Sequence, residues 1–281
     1  MQGDPVFHNL LVSAPNGGGL FALRNGSVWH VDGQSSTGID VRNGALLRSL
    51  QPDGWRFYGR AAPALPDVPD LHDVRIVEDG FMAVGTQDNI ILRFDRAGRE
   101  IRRWVLPGEP DSAHVNCLAC WQGRWVFSAF GDFDTHRGYK QGTRGLGFVR
   151  SLEDGQTLIS GLSQPHSLTP WGKDLLLADS ETQSLARYDR HGRLRRRVDL
   201  GGYTRGIAVG RSALFVGLSQ SRNLGNDPVS DSASILALDP ARWSVRARLP
   251  LPTREIYDIR FVSSDQAMAL ILARLEREAG R

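Results

Sequence analysis

The chain has 281 residues, 41% of them hydrophobic and 23% charged, an ordinary globular composition that argues against disorder, collagen-like repeats and long membrane helices. Thirty-four Lys and Arg against 31 Asp and Glu leave a net charge of +3. That excess is too small to grip a polyphosphate along its length, so nucleic acid is not implied as a partner even at a pI of about 9.1. The 31 glycines and 14 prolines lie along the whole chain and predict many short strands joined by turns. Two cysteines, Cys117 and Cys120, cannot build a disulfide framework. The opening residues carry neither a basic segment nor a long apolar run, which leads us to expect a cytoplasmic protein with no membrane association.

In chain order, apolar alternation predicts strands over 10–13, 19–23 and 28–31. A repeat then begins. Segments opening with His72-Asp73-Val74, His114-Val115-Asn116, His166-Ser167-Leu168, Arg205-Gly206-Ile207 and Tyr257-Asp258-Ile259 each start an apolar strand, and Gly38-Ile39-Asp40-Val41 fits more loosely. Each of the four openings from His72 to Arg205 is followed 14 residues later by a hydroxyl: Thr86, Ser128, Ser180 and Ser219. A second hairpin carries its own signature, as in Phe94-Asp95-Arg96-Ala97-Gly98 and Tyr188-Asp189-Arg190-His191-Gly192. Two hairpins make four strands per unit, and spacings of 34 to 52 residues between openings suit propeller blades with extended loops.

The prediction is a single all-β domain over 1–281, a six-bladed β-propeller. The last unit has an inner strand over 256–262 and no second hairpin, so the three N-terminal strands are expected to complete it and close the ring. Apolar positions 268, 271, 272 and 275 predict a short helix over 265–278 packed on the ring. Cys117 and Cys120 fall on an inner strand and are expected as buried small side chains. The basic run Arg193, Arg195, Arg196 and Arg197 is expected on a solvated outer edge.

Gln164-Pro165-His166-Ser167-Leu168 running on to Leu177-Ala178-Asp179-Ser180 resembles the inner hairpin of NHL and gluconolactonase-like six-bladed propellers. The wider set of His72-Asp73, His114-Val115-Asn116, Arg205-Gly206 and Val216-Gly217-Leu218-Ser219-Gln220 resembles an uncharacterised bacterial propeller family over nearly the whole chain. That resemblance implies the fold and supplies no activity.

Inner strands of a propeller start at one channel rim, and the loops after the second strands return to it. His72, His114, His166, Arg205 and Tyr257 are therefore expected to ring the mouth, with Gln87, Asp132, Glu181, Gln220 and Arg222 in a second tier. Arg137 and Lys140 on the long loop 131–140 are further ligand contacts. Three imidazoles suit a divalent transition metal such as zinc, iron, manganese or nickel. In residue types the set is similar to the three channel histidines, Arg and Tyr of the propeller lyase that completes peptide amidation. Arg205 would steady an oxyanion, and Tyr257 would act as acid or base. The same residues also fit a wet channel with structural histidines, or an anion site without metal. The expected activity is that of a metal-assisted lyase, hydrolase or isomerase on a small, anionic metabolite or sugar derivative. The alternative is a non-catalytic module that binds a glycan, peptide or partner protein on that face.

Overall fold

A computed structural model describes residues 3–52, 54–220 and 232–279. Its strands form six antiparallel sheets around a channel, in the predicted six-bladed propeller. Blade 2 runs from Leu71–Val77 to Glu100–Val105, blade 3 from Cys117–Trp121 to Thr157–Leu162, blade 4 from Pro165–Trp171 to Leu194–Asp199, and blade 5 from Tyr203–Val209 to Val245–Pro250. In blade 6 the inner strand Asp258–Phe261 pairs with Leu10–Ala14, which is followed outward by Gly19–Arg24 and Ser27–Asp32. Joining the two chain ends in one sheet makes ring closure depend on the whole chain, as the N-terminal strands required.

Blade 1 departs from the four-strand expectation. Among the described residues it has three strands, Ile39–Arg42, Ala45–Leu50 and Gly54–Tyr58. The C-terminal helix Asp265–Ala279 packs beside it, burying Met268, Ile271 and Leu275 against Leu46, Tyr58, Leu11 and Leu20. A helix on this side covers apolar surface of blades 1 and 6 that a further blade strand does not reach.

Hydroxyls and one amide explain the repeat. Ser13 Oγ donates to the Thr37 carbonyl, Thr37 Oγ1 to that of Leu71, Thr86 Oγ1 to that of Val115, Ser180 Oγ to that of Thr204 and Ser219 Oγ to that of Ile256. At the interface of blades 3 and 4, Ser128 Oγ donates to Asn116 Oδ1, and Asn116 Nδ2 donates to the Pro165 carbonyl. Every blade interface thus carries a buried side-chain latch, each worth about 1 kcal/mol. The 14-residue spacing sets Thr86, Ser180 and Ser219 beside the opening of the next inner strand, and Ser128 beside Asn116, which carries the bond across.

Arg48 adds a strut between blades 1 and 6. It is completely buried, bonds both Asp32 oxygens at 2.6 and 2.8 Å, and donates to the Gln34 carbonyl and Ser36 Oγ. Phe127 and Phe148 pack with Met82, Val84 and Leu118 between blades 2 and 3, and Trp125 lies against that cluster, in the inter-blade role expected of them. Cys117 is buried while Cys120 is exposed, which corrects the expectation that both are internal. Three residues apart on a strand, they point to opposite faces: Cys117 packs in the cluster between blades 3 and 4, whereas Cys120, on the face of the buried Leu118, lies near the end of the strand and outside the cluster between blades 2 and 3. The outer strand Leu194–Asp199 leaves Arg195, Arg196 and Arg197 exposed, as expected, although Arg197 reaches in to Asp179. Among the described residues no helix is long and apolar enough to cross a membrane.

Candidate active site at the channel mouth

The inner-strand openings do converge. A cavity of about 760 Å3 occupies one channel mouth, with His72, His114, Arg205 and Tyr257 in its wall beside Asp70, Asp111, Tyr139 and Tyr203. His166 sits just beneath, 1% exposed, with its ring near those of Phe130, Tyr203 and Tyr257. The segments that deliver these side chains have left-handed backbone at non-glycine residues: Asp70 (φ 48°), Asp111 (φ 51°), His114 (φ 48°) and Gln164 (φ 52°). Such conformations carry a cost of about 1 kcal/mol or more each, and they concentrate where backbone is held for function.

The hydrogen bonds fix which nitrogen each imidazole offers. His72 Nδ1 lies 3.0 Å from the Asp70 carbonyl oxygen, which can only accept. His166 Nδ1 lies 2.9 Å from the Gln164 carbonyl and 2.8 Å from Ser180 Oγ, whose own hydrogen goes to Thr204. His114 Nδ1 lies 2.8 Å from Asp111 Oδ1. In all three rings Nδ1 therefore carries the hydrogen, and Nε2 of the neutral ring is a lone pair. Burial pushes His72 down to about 4 and holds His166 well below the ordinary imidazole value, with the Arg205 charge lowering both further. These two rings are neutral at physiological pH. His166 Nε2 is buried without a hydrogen-bond partner.

Asp111 organises one side of the mouth. Besides His114, it accepts from Arg137 Nε at 2.8 Å and from the Tyr139 hydroxyl at 2.9 Å. Burial would raise its carboxyl, but the His114, Arg137 and Tyr139 bonds outweigh that and hold it at about 2. The arrangement is a carboxylate that orients a histidine whose other nitrogen faces the cavity, the geometry of a general base.

Opposite stand two donors. The Arg205 guanidinium lies 5.2 Å from the ring centroids of both Tyr203 and Tyr257, and its nearest carboxylate is Glu255 at 3.5 Å. Arg205 Nε and the Tyr257 hydroxyl are both buried without a partner. Burial raises the Tyr257 phenol well above its ordinary value, so it stays protonated. Unpaired buried polar atoms cost about 1–3 kcal/mol each, and three of them, on His166, Arg205 and Tyr257, lie together on this floor. A further relay runs from the Tyr203 hydroxyl to Gln164 Oε1, from Gln164 Nε2 to Thr143 Oγ1, and from Thr143 Oγ1 to Glu181 Oε2.

The second tier is only partly as expected. Arg137, Lys140, Glu181 and Gln220 line the cavity. Gln87 does not; its carbonyl instead accepts the Asp111 backbone N–H. Asp132 turns outward and pairs with Arg150, with 64% of its side chain exposed, because the loop turns back over the mouth only after it, at the 3-10 helix Gly138–Gln141. Arg222 lies outside the described residues. The residues that sequence reasoning missed are Asp70, Asp111, Gln164, Tyr139 and Tyr203. A signal for the first three exists, since each precedes an opening histidine by two or three positions and supplies the acceptor for its Nδ1.

As a metal centre the set fits in part. An imidazole whose Nδ1 is bonded to a carbonyl or carboxylate and whose Nε2 is bare is the form that binds metal. The rings of His72 and His114 are 5.0 Å apart. His166 is reached through Phe130, whose ring centroid is 4.3 Å from His114 and 5.3 Å from His166. Among the described residues no group of three or more His, Cys, Asp or Glu side chains is set to hold a metal ion.

Residues 62–270 match the family model for the domain of unknown function DUF4915. No curated protein matches the chain. Among solved structures, a protein of unknown function from Bacteroides caccae is similar at a TM-score of 0.65 and 16% identity, over 91% of this chain and 98% of that one. A chain of a nidogen/laminin complex gives 0.64 and 15%, over 91% and 98%. The calcium-binding protein regucalcin from Agrobacterium tumefaciens strain C58 gives 0.56 and 15%, over 82% and 79%. At these identities the likeness is one of fold.

Proposed function

Because the chain belongs to the DUF4915 family, whose description assigns no activity, we propose a function from the channel mouth: an enzyme that moves protons on a small carboxylate-bearing metabolite, in a lyase, hydrolase or isomerase reaction. The observation that carries this reading is His114, fixed by Asp111 with Nε2 toward the cavity and faced by the unpartnered donors of Arg205 and Tyr257. Arg205 binds the carboxylate as a planar fork. His114 Nε2 takes a proton from the substrate, and the Tyr257 hydroxyl delivers one to the carbon or leaving group on which negative charge develops. Asp111 steadies the imidazolium that forms, and Arg137 and Tyr139 keep Asp111 in place.

The test is incubation of the protein with pooled bacterial metabolites in D2O, read by mass spectrometry. The reading expects at least one carboxylate to be consumed or to gain deuterium, and His114→Ala to slow this by about a hundredfold or more. Carboxylates that bind unchanged would support the non-catalytic module instead. Turnover that survives His114→Ala would reject the assignment of the base.

A second reading places a divalent cation such as zinc, iron, manganese or nickel on His72 and His114, favoured by their adjacent Nε2 lone pairs. Such an ion would supply Lewis-acid chemistry at the same position. The Arg205 charge, felt by His72 and His166, opposes a dication there. Elemental analysis of wild type beside His72→Ala/His114→Ala separates the two readings. Near-stoichiometric metal lost in the variant favours the second, and metal-free protein after supplementation removes it.

A further inference from the structure

We propose that Glu181 is a positioning residue for Arg205: through Thr143, Gln164 and Tyr203 it sets the direction of every hydrogen in a chain of side chains, and so leaves the Tyr203 oxygen as a fixed acceptor for the guanidinium. This rests on the reading of Arg205 as the group that binds a carboxylate and adds what holds that group in place.

Three observations lead there. The first is the order of the hydrogen bonds. A carboxylate only accepts, so the single hydroxyl hydrogen of Thr143 goes to Glu181 Oε2 at 2.7 Å. Thr143 Oγ1 must then accept from Gln164, which brings the amide nitrogen to it at 2.9 Å and turns Oε1 the other way. That oxygen takes the only hydroxyl hydrogen of Tyr203, at 2.6 Å. What remains on the Tyr203 oxygen is lone pairs. Reversing any one step sets two acceptors face to face at the next, so the direction is imposed from the Glu181 end.

The second is burial. Tyr203 and Thr143 are 2% exposed and Gln164 is 7% exposed. A misdirected hydrogen in such a place is costly, and bonds in series strengthen one another. The chain also ties together the loop of blade 3 that carries Thr143, the residue before the inner strand of blade 4, the 3-10 helix Ser180–Thr182 and the inner strand Tyr203–Val209 that carries Arg205 itself.

The third is the surroundings of Arg205. Its guanidinium lies 5.2 Å from the ring centroids of both Tyr203 and Tyr257. The Tyr257 hydroxyl has no partner to direct its hydrogen, whereas that of Tyr203 is directed away. Burial raises the Tyr203 phenol, and the Arg205 charge and its hydrogen bond to the phenol oxygen pull the other way. A Tyr203 hydrogen turned toward Arg205 would remove that bond and oppose the guanidinium.

The consequence has a sign that separates it from simple charge. Glu181 lines the cavity, and through its charge alone it would repel an anionic ligand, so that Glu181→Met would tighten binding. Through the chain, Glu181→Met releases the Thr143 hydrogen to Gln164 or to water, frees the direction of the chain and weakens binding.

The experiment uses protein labelled with 13C at the ζ carbon of its five tyrosines, with Tyr203→Phe and Tyr257→Phe assigning two signals, and acetate as the probe. Wild type is compared with Glu181→Met, Thr143→Val, the double variant and Arg205→Met, each checked for an unchanged thermal midpoint. Without acetate, Glu181→Met and Thr143→Val should each move the Tyr203 signal. In acetate titrations each should weaken binding about threefold or more, and Glu181→Met added to Thr143→Val should weaken it no further. A Tyr203 signal unmoved in both single variants overturns the inference. So does acetate binding that tightens in Glu181→Met and stays unchanged in Thr143→Val, while the carboxylate reading stands. If acetate moves neither tyrosine signal in wild type, or moves them equally in Arg205→Met, the carboxylate reading fails and takes this role of Glu181 with it.

Discussion

Replacing Asp111 by Asn removes one charge and little volume, and the structure specifies what must follow. The carboxylate accepts three hydrogen bonds, from His114 Nδ1, Arg137 Nε and the Tyr139 hydroxyl, with its side chain only 1% exposed. An amide has a single oxygen. If that oxygen faces Arg137 and Tyr139, the NH2 group meets His114 Nδ1, and the ring must carry its hydrogen on Nε2 instead, which removes the base from the cavity. If the oxygen faces His114, the NH2 group meets the Arg137 Nε–H donor. In either arrangement the charge that assists these bonds is gone, and in the second the bonds to Arg137 and Tyr139 are lost as well, each charge-assisted bond being worth about 1.5–3 kcal/mol. Arg137, with 43% of its side chain exposed, can turn to water, and this brings the net cost to about 3 kcal/mol. For a chain of this size that corresponds to a fall of roughly 6–9 °C in thermal midpoint. Differential scanning calorimetry of Asp111→Asn beside Arg137→Gln and Tyr139→Phe measures it. A midpoint for Asp111→Asn within about 1 °C of wild type would refute the assignment of Asp111 as the organising carboxylate.

Two further predictions concern the ring and its titration. Arg48→Met keeps the length of a fully buried side chain but strands Asp32, so it should destabilise by about 3 kcal/mol, at the low end for a broken buried pair because Asp32 is one-third exposed; urea unfolding checks this, with Asp32→Asn expected to restore part of the loss. His72 has a folded-state value near 4, below its ordinary 6.5. The unfolded chain therefore takes up a proton between about pH 6.5 and 4 that the folded protein refuses, and stability falls as pH falls through that window. Asp73, pushed up to about 6 chiefly by burial with help from Asp258, acts in the opposite direction, keeping a proton that the unfolded chain releases. Comparing wild type with His72→Phe isolates the histidine: between about pH 7 and 4.5 the variant should lose about 2–3 kcal/mol less stability. Equal losses would mean that His72 is not held neutral.

The fold was legible because a propeller writes the same packing problem several times along the chain. Each inner strand must start at the rim, and each latch must meet the next blade, directly from Thr86, Ser180 and Ser219 and through Asn116 from Ser128, so these hydroxyls fall in step with their openings. Closure by the N-terminal strands was legible for the same reason, since Asp258–Phe261 lacks neighbours of its own in sequence. The three-stranded blade 1 was not, because covering its surface with a distant helix leaves no local mark. At the site, the openings announced themselves through type and period. Their partners left only an offset of two or three positions: Asp70 and Gln164 offer backbone carbonyls that any residue carries, and Asp111 offers its carboxylate, all three from left-handed backbone that non-glycine residues do not advertise. Asp132 shows the limit of reading loops. Polar composition suggested a ligand contact, whereas the turn of the chain sends the side chain outward to Arg150.

In this structure His72, His114 and His166 hold their hydrogens on Nδ1, and the bare Nε2 atoms belong to the wall of the channel mouth in His72 and His114 and to the buried layer beneath it in His166. Long-range 1H–15N correlation of the histidine side chains at neutral pH tests it without any substrate, with single His→Gln variants assigning the signals of the chain's seven histidines. The neutral rings of all three should carry their hydrogen on Nδ1, and His72 and His166 should show no imidazolium. Hydrogen on Nε2 in any of the three, or an imidazolium pattern for His72 or His166, would contradict it.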